Sequence, residues 1–318
     1  MRFFVTGCAG FIGSTLTERL LSDGHVVVGY DNFSTGQESF LRPASGSAGF
    51  RLVRADVLDQ TVLCASMTGS EFVFHLAANA DVRFGTESPR RDLEQNTIAT
   101  HNVLEAMRAN GIAKIAFSSS GSVYGETLAI PTSEDAPFPI QTSLYGASKS
   151  AGEGLITAYC NGFGFQSYIF RFVSILGERY THGHVFDFYK QLQADPGILR
   201  VLGDGRQRKS YLYVHDCIDA MLLAIQRSEA RINILNLGTD SYCAVNDSIK
   251  WICETLGVRP KIEYGGGERG WIGDNPFIFL DTTKIRALGW NPHLTIQQSI
   301  VRTVEYLMAN PHVLGTRR

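Results

Sequence analysis

The chain has 318 residues, 44% of them apolar and 19% charged, which favours a folded product over disorder and suits two closely packed domains. Its 29 basic and 31 acidic residues are interspersed to a net charge of -2, so the concentrated basic face that nucleic-acid binding needs is missing. The six cysteines (Cys8, Cys64, Cys160, Cys217, Cys243, Cys253) form no Cys-x-x-Cys pair and no His stands at metal-ligand spacing; no metal or disulfide framework is expected, and reduced thiols suit a cytoplasmic setting.

The opening run Met1-Arg2-Phe3-Phe4-Val5 is too short for a signal peptide's apolar region, and no segment reaches the roughly 20 apolar residues of a membrane span. Short β-rich runs then alternate with segments of helical period, the pattern of βαβ units and a parallel sheet. Strands are predicted at 3–5, 26–30, 50–54, 72–75, 112–117 and 166–171. Ile12, Leu16 and Leu20 mark one helix face; Ala147, Ala151, Leu155 and Tyr159 mark another at four-residue spacing. The small residues 44–49 read as a surface loop, since the alternation resumes at Phe50. Beyond Val173 the pattern loosens around Gly203-Asp204-Gly205 and Gly265-Gly266-Gly267. Helices are expected there at 183–194, 215–227, 244–256 and 295–309, and strands near 199–202, 210–214 and 233–237, with no internal repeat.

Thr6-Gly7-Cys8-Ala9-Gly10-Phe11-Ile12-Gly13 follows the first strand and opens the first helix. In that context Gly7, Gly10 and Gly13 permit a tight turn and close approach of backbone to a pyrophosphate, which the free N–H groups of the helix start then bind. Asp31 ends the second strand 18 residues after Gly13, placed to accept hydrogen bonds from ribose hydroxyls and to repel a 2'-phosphate, so NAD is expected rather than NADP. Asp56, ending the third strand, is placed to meet the adenine, with a helix N-cap in that region as the alternative. Leu76, Ala77 and Ala78 let backbone pass under the diphosphate, whereas His75 reads as a satisfied core histidine.

Tyr145-Gly146-Ala147-Ser148-Lys149 begins a helix, and four-residue spacing sets the phenol and the ammonium on one face. A phenol of ordinary pKa near ~10 is a weak base at neutral pH, but a neighbouring ammonium and a nicotinamide cation stabilise its phenolate. Tyr145 then takes a hydroxyl proton while hydride leaves the same carbon. Ser118-Ser119-Ser120, at the end of the fifth strand, lies on the sheet edge where such folds hold ligands, and one of its hydroxyls is expected to orient the reacting oxygen.

Together these motifs, with Asp31-Asn32-Phe33-Ser34-Thr35-Gly36 and Ser118-Ser119-Ser120-Gly121-Ser122-Val123-Tyr124-Gly125, resemble the extended short-chain dehydrogenase/reductase family, specifically its nucleotide-sugar epimerases and dehydratases, over nearly the whole chain. The resemblance implies an α/β fold: a Rossmann doubly wound parallel sheet with a smaller C-terminal α/β substrate-binding domain. The NAD-binding domain then covers 1–173 and about 211–238, the substrate domain 174–210 and 239–318. Carried over by position, Ser120, Tyr145 and Lys149 are catalytic. The cofactor set is Gly7, Gly10, Phe11, Ile12, Gly13, Asp31, Asn32, Ser34, Thr35, Gly36, Asp56, Val57, Leu76, Ala77, Ala78, Asn96, Ser118, Tyr145 and Lys149.

Family 4,6-dehydratases carry Asp and Glu directly after the catalytic hydroxyl residue, because eliminating water needs further proton-transferring groups. Here Gly121 and Ser122 stand there, so the site resembles that of the 4-epimerases of the UDP-glucose/galactose type. The rival enzyme reading is a nucleotide-sugar 4-ketoreductase or other nucleotide-sugar oxidoreductase, and the rival of another class is a dinucleotide-binding regulator without turnover. On the substrate side the resemblance points to Ser120, Ser174, His184, Val185, Lys209, Arg269 and Asp274. Lys209-Ser210 replaces the usual Arg-Asp pair, which exchanges a bidentate fork for a point charge that Arg206 or Arg208 can supplement. Ile278 falls where the family gates sugar size. A UDP-sugar substrate and a homodimer through 90–109 and 144–160 are the family expectations.

Overall fold

The structure is a computed structural model that describes residues 1–80, 85, 87–137, 140–267 and 277–315. Its central sheet has seven strands: β1 (Arg2–Thr6), β2 (Val26–Asp31), β3 (Phe50–Arg54), β4 (Phe72–His75), β5 (Lys114–Ser120), β6 (Gln166–Phe172) and a last strand, Ile232–Leu237. Read across the sheet, the order is last strand, β6, β5, β4, β1, β2, β3. The chain therefore starts in the middle and winds outward in both directions, and order reverses between β1 and β4, where open α/β sheets form a crevice at their carboxyl ends. The pairings of β1 with β2 and β4, of β2 with β3 and of β4 with β5 are parallel. Runs such as Phe72-Val73-Phe74 and Ile115-Ala116-Phe117 are buried throughout, as expected of strands covered on both faces.

The chain divides into two compact units: Met1–Gly125, Pro139–Arg171 and Met221–Leu235; and Glu126–Phe138, Phe172–Ala220 and Asn236–Arg318. Hydrogen bonds explain why residues 126–137 group with the second unit. Asn236 donates its side-chain amide to the Thr132 carbonyl at 2.9 Å and its backbone N–H to Glu134 at 2.8 Å. Within the second unit, Ser174–Leu176 pairs in parallel with Tyr211–Tyr213, and Ile198–Val201 with Lys261–Tyr264. Arg208–Lys209 lies between Cys243–Ala244 and Phe277–Ile278. The expected helices fall at His184–Ala194, Val214–Arg227, Val245–Leu256 and Ile296–Ala309.

Three local expectations change. The fifth strand begins at Lys114, because the Ile112 N–H closes the preceding helix on the Met107 carbonyl at 2.9 Å, and it extends through Ser120. Ala44 and Ser45 end a short helix, Arg42–Ser45, started by Pro43 in its first turn. In the helix Leu144–Phe163 the buried face is Tyr145, Ser148, Lys149, Gly152, Glu153, Ile156 and Cys160. Of the Ala147, Ala151, Leu155, Tyr159 stripe, Leu155 and Tyr159 are half-buried and pack against the core, while Ala151 is exposed. Apolar periodicity found only part of the packed face because the protein buries charge here. The six cysteines are unbridged, and no described helix is long and apolar enough to cross a membrane.

Candidate active site

The helix Phe11–Ser22 starts at Gly10 with no side chain capping it, so its first N–H groups keep their dipole and donors for a ligand. Gly7 holds φ +72°, and a Cβ there would come 2.7 Å from the Ala77 nitrogen; a Cβ on Gly13 would collide with the Gly7 carbonyl. Only glycine permits this approach of loop, helix and β4 end, which is the shape a dinucleotide pyrophosphate requires. Thr6 fixes the same junction, since its hydroxyl accepts from the Leu76 and Ala77 N–H groups at 3.2 and 3.1 Å. Thr6 was not singled out in the sequence, although its place at the end of the first strand was visible.

Asp31 is buried, accepting from the Ala9 N–H at 2.9 Å and the Phe33 N–H at 2.8 Å. Burial pushes its carboxyl upward, and these two hydrogen bonds and Arg54 oppose the shift. Asn32 donates to Asp56 at 2.8 Å and accepts from the Ser34 N–H at 2.9 Å, so the loop carrying Ser34, Thr35 and Gly36 is fastened to the end of β3. The helix cap in that region belongs to Asp59, which accepts from the Val62 N–H; Asp56 instead accepts from Leu58 at 2.9 Å. Val57 is buried in the apolar core, and its carbonyl accepts from the Asn102 side-chain amide at 3.2 Å. The glycine cradle, the uncapped helix and the buried Asp31 fit NAD.

At the ends of β4 and β5 the remaining residues converge. His75 pairs with Thr6 at 2.9 Å and Thr100 at 3.0 Å; burial, then Lys149, pushes it down to about 3, a neutral core histidine as expected. Asn96 lies in a π-helical turn, Leu93–Ile98, and its side chain accepts from the Asn79 N–H at 2.8 Å and donates to Ser148 at 2.9 Å. Both ends of that amide thus hold protein, which makes Asn96 a brace for the 76–79 segment. Ser118 donates to the His75 carbonyl at 3.3 Å. Ser120 caps the turn Gly121–Tyr124 by accepting from Ser122 at 3.1 Å.

Lys149 is buried, with Nζ donating to the Ser118 carbonyl at 2.8 Å and lying 6.0 Å from the Tyr145 ring centre. Burial pushes it down to about 7, opposed by Glu153 and Asp92. Burial pushes Tyr145 up to about 12; a hydrogen bond with Ser120 lowers it and Asp92 raises it. Burial thus favours the neutral form of both the phenol and the amine, against the help that an ammonium alone gives the phenolate. A cationic ring beside the phenol supplies the missing bias.

Sequence reading missed Glu153, Arg171 and Asp92. Glu153 stands four residues after Lys149 on the buried face, a spacing that could have revealed it; Arg171 sits near the end of β6, with no local signal linking the two.

In the second unit, Ser174 is exposed at the head of its strand. His184 pairs with the Tyr211 hydroxyl at 2.7 Å, and burial, then Lys209, pushes it down to about 3, so it offers no positive charge to a phosphate. Val185 is fully buried, which leaves its N–H at an uncapped helix start as its polar group. Lys209 lies in register with Ile278. Arg269 and Asp274 lie outside the described residues.

An NAD cradle beside a buried Tyr and Lys and the half-buried Ser120 can carry out oxidation and re-reduction at an alcohol carbon. The NAD dependent epimerase/dehydratase family matches residues 3–238. The chain is 34% identical over 317 residues to UDP-glucose 4-epimerase of Mycolicibacterium smegmatis, across 96% of this chain and 98% of that one. UDP-glucose 4-epimerase from Thermus thermophilus in complex with NAD is 30% identical, with TM-score 0.86 over 98% of this chain and 100% of that one. UDP-glucuronic acid 4-epimerase from Bacillus cereus, in complex with UDP-glucuronic acid and NAD, is 27% identical, with TM-score 0.88 over 97% and 99%. The chain belongs to the NAD-dependent epimerase/dehydratase family and is an NAD-dependent enzyme of the nucleotide-sugar epimerase type.

Proposed function

We propose that the chain interconverts UDP-glucose and UDP-galactose by transient oxidation at C4. The observation that carries this reading is the turn after Ser120: Gly121 and Ser122 offer no carboxyl for eliminating water, and Glu153 behind them is paired to Arg171 at 2.7 Å. Bound NAD supplies a site that accepts a hydride from C4 and returns it. Tyr145 exchanges the proton of the C4 oxygen, Ser120 hydrogen-bonds that oxygen, and Lys149 supplies the charge that lets the phenol part with its proton. Gly7, Gly10 and Gly13 cradle the pyrophosphate with the N–H groups of Phe11 and Ile12, and Asp31 holds the ribose. Lys209 meets the sugar nucleotide's diphosphate as a point charge, with the N–H groups at His184 and Val185 aiding it.

The chain also pairs with a second copy through its 90–109 and 144–160 helices. Exposed Leu93, Ile98 and Leu144, together with exposed Ala151, support this. Sedimentation of wild type and Ala151→Arg tests it: a dimer reduced to monomer is expected, and a wild-type monomer contradicts it.

The activity test is incubation of purified protein with UDP-galactose, UDP-glucuronic acid and UDP-N-acetylgalactosamine without added reduced cofactor. Conversion of UDP-galactose to UDP-glucose is expected to be fastest. A 4-keto-6-deoxy product, a stoichiometric need for reduced cofactor, or faster turnover of another sugar overturns the assignment.

A further inference from the structure

We propose that Arg171, Glu153 and Tyr124 act as a positioning clamp that sets where Ser120 stands against the helix carrying Tyr145 and Lys149. The inference rests on the proposed role of Ser120 at the reacting oxygen.

Arg171 and Glu153 form a buried, forked ion pair, with side chains 12% and 9% exposed; Nη2 meets Oε2 at 2.7 Å and Nε meets Oε1 at 3.0 Å. The same guanidinium donates through Nη1 to the Tyr124 hydroxyl at 2.7 Å. Glu153 in turn accepts a hydrogen bond from the Ser119 hydroxyl. Ser119 and Tyr124 flank the segment that carries Ser120: Ser119 precedes it in β5, and Tyr124 ends the turn that Ser120 caps. One guanidinium therefore anchors that segment at both ends, directly through Tyr124 and through Glu153 to Ser119. Glu153 lies one helical turn beyond Lys149, so the other jaw is the catalytic helix itself.

The cost of the arrangement favours a positional role. Removing two charges from water is expensive, and a well-packed apolar pair commonly stabilises a core at least as well. What an apolar pair lacks is direction: the planar fork fixes three acceptors at set angles, and through them the Ser119–Tyr124 segment. None of the three residues is among the groups proposed to touch substrate or cofactor.

Tyr124→Phe removes one hydroxyl and leaves the ion pair intact. With UDP-galactose, kcat is expected to fall roughly tenfold or more, with KM and bound NAD content unchanged, because small misplacement of a reacting group is costly. In a Ser120→Ala background the same substitution is expected to cause no further loss, since the clamp acts through Ser120. Wild-type kcat in Tyr124→Phe, or a full additional loss in the Ser120→Ala background, overturns the clamp. Full activity of Ser120→Ala alone overturns instead the role assigned to Ser120. Crystal structures of wild type and Tyr124→Phe give a readout independent of turnover: Ser120 Oγ is expected to shift against Tyr145 by more than about 0.5 Å, and an unmoved Ser120 contradicts the proposal.

Discussion

The residues proposed to hold the cofactor in the first unit and those proposed to meet the sugar nucleotide in the second are built on different principles. In the first, backbone shape decides: Gly7 and Gly13 admit no Cβ, Thr6 ties β1 to the end of β4, and the charges of Lys149, Glu153 and Arg171 are buried with defined partners. In the second, Ser174 is exposed, Lys209 is half-buried on a two-residue strand, and His184 is committed to Tyr211. A cradle of backbone accepts few substitutions, whereas point charges on short strands can be exchanged with modest loss. Lys209 in place of the family's Arg is an instance of the second kind.

The sharpest break of this comparison comes from the catalytic helix. Tyr145→Phe is expected to lower kcat by about 10²- to 10⁴-fold, the usual contribution of a positioned acid or base, while bound NAD stays stoichiometric. Steady-state kinetics with UDP-galactose, and absorbance of the released cofactor, check both halves. Next in size, Gly13→Val drives a side chain into the Gly7 carbonyl, and the purified variant is expected to lose its bound NAD; retention of one NAD per chain would show that the cradle tolerates bulk. On the other side, Lys209→Ala is expected to raise KM about tenfold, equivalent to about 1.4 kcal/mol, at unchanged kcat. Lys209→Arg should leave KM unchanged or lower it. A loss of kcat in Lys209→Ala instead would place Lys209 with the chemistry and erase the contrast.

The smallest effect concerns pH. Lys149 is held at about 7 in the folded chain, below its unfolded value of about 10.4, so between those values the folded state binds fewer protons than the unfolded one. Its burial penalty is full below pH 7 and relieved as pH rises, which makes stability increase across that window. Denaturant midpoints of NAD-free protein at pH 7 and 9 should therefore rise more in wild type than in Lys149→Met, and equal slopes would contradict the shift.

What could be read from the sequence follows the range of the interactions. The glycine turn, Asp31 at the end of β2 and the Tyr145–Lys149 spacing are local, and local geometry is written in adjacent residues. The Glu153–Arg171 pair joins a helix to a strand, and nothing near either residue names the other. The helix face was read only in part for a related reason, since periodicity follows apolar residues and this helix buries Lys149 and Glu153. The Tyr145–Lys149 spacing reports a neighbouring ammonium but not burial, which raises the phenol and lowers the lysine together. His184 was read by its place in the chain, while burial decides its state.

The account's central claim is that the hydrogen removed from C4 returns to C4 without meeting solvent, while Tyr145 handles only the oxygen-bound proton. Conversion of UDP-galactose in D2O, followed by mass and NMR analysis of the UDP-glucose formed, tests this directly. Protium is expected to remain at C4 in all of the product; deuterium at C4 would contradict the claim.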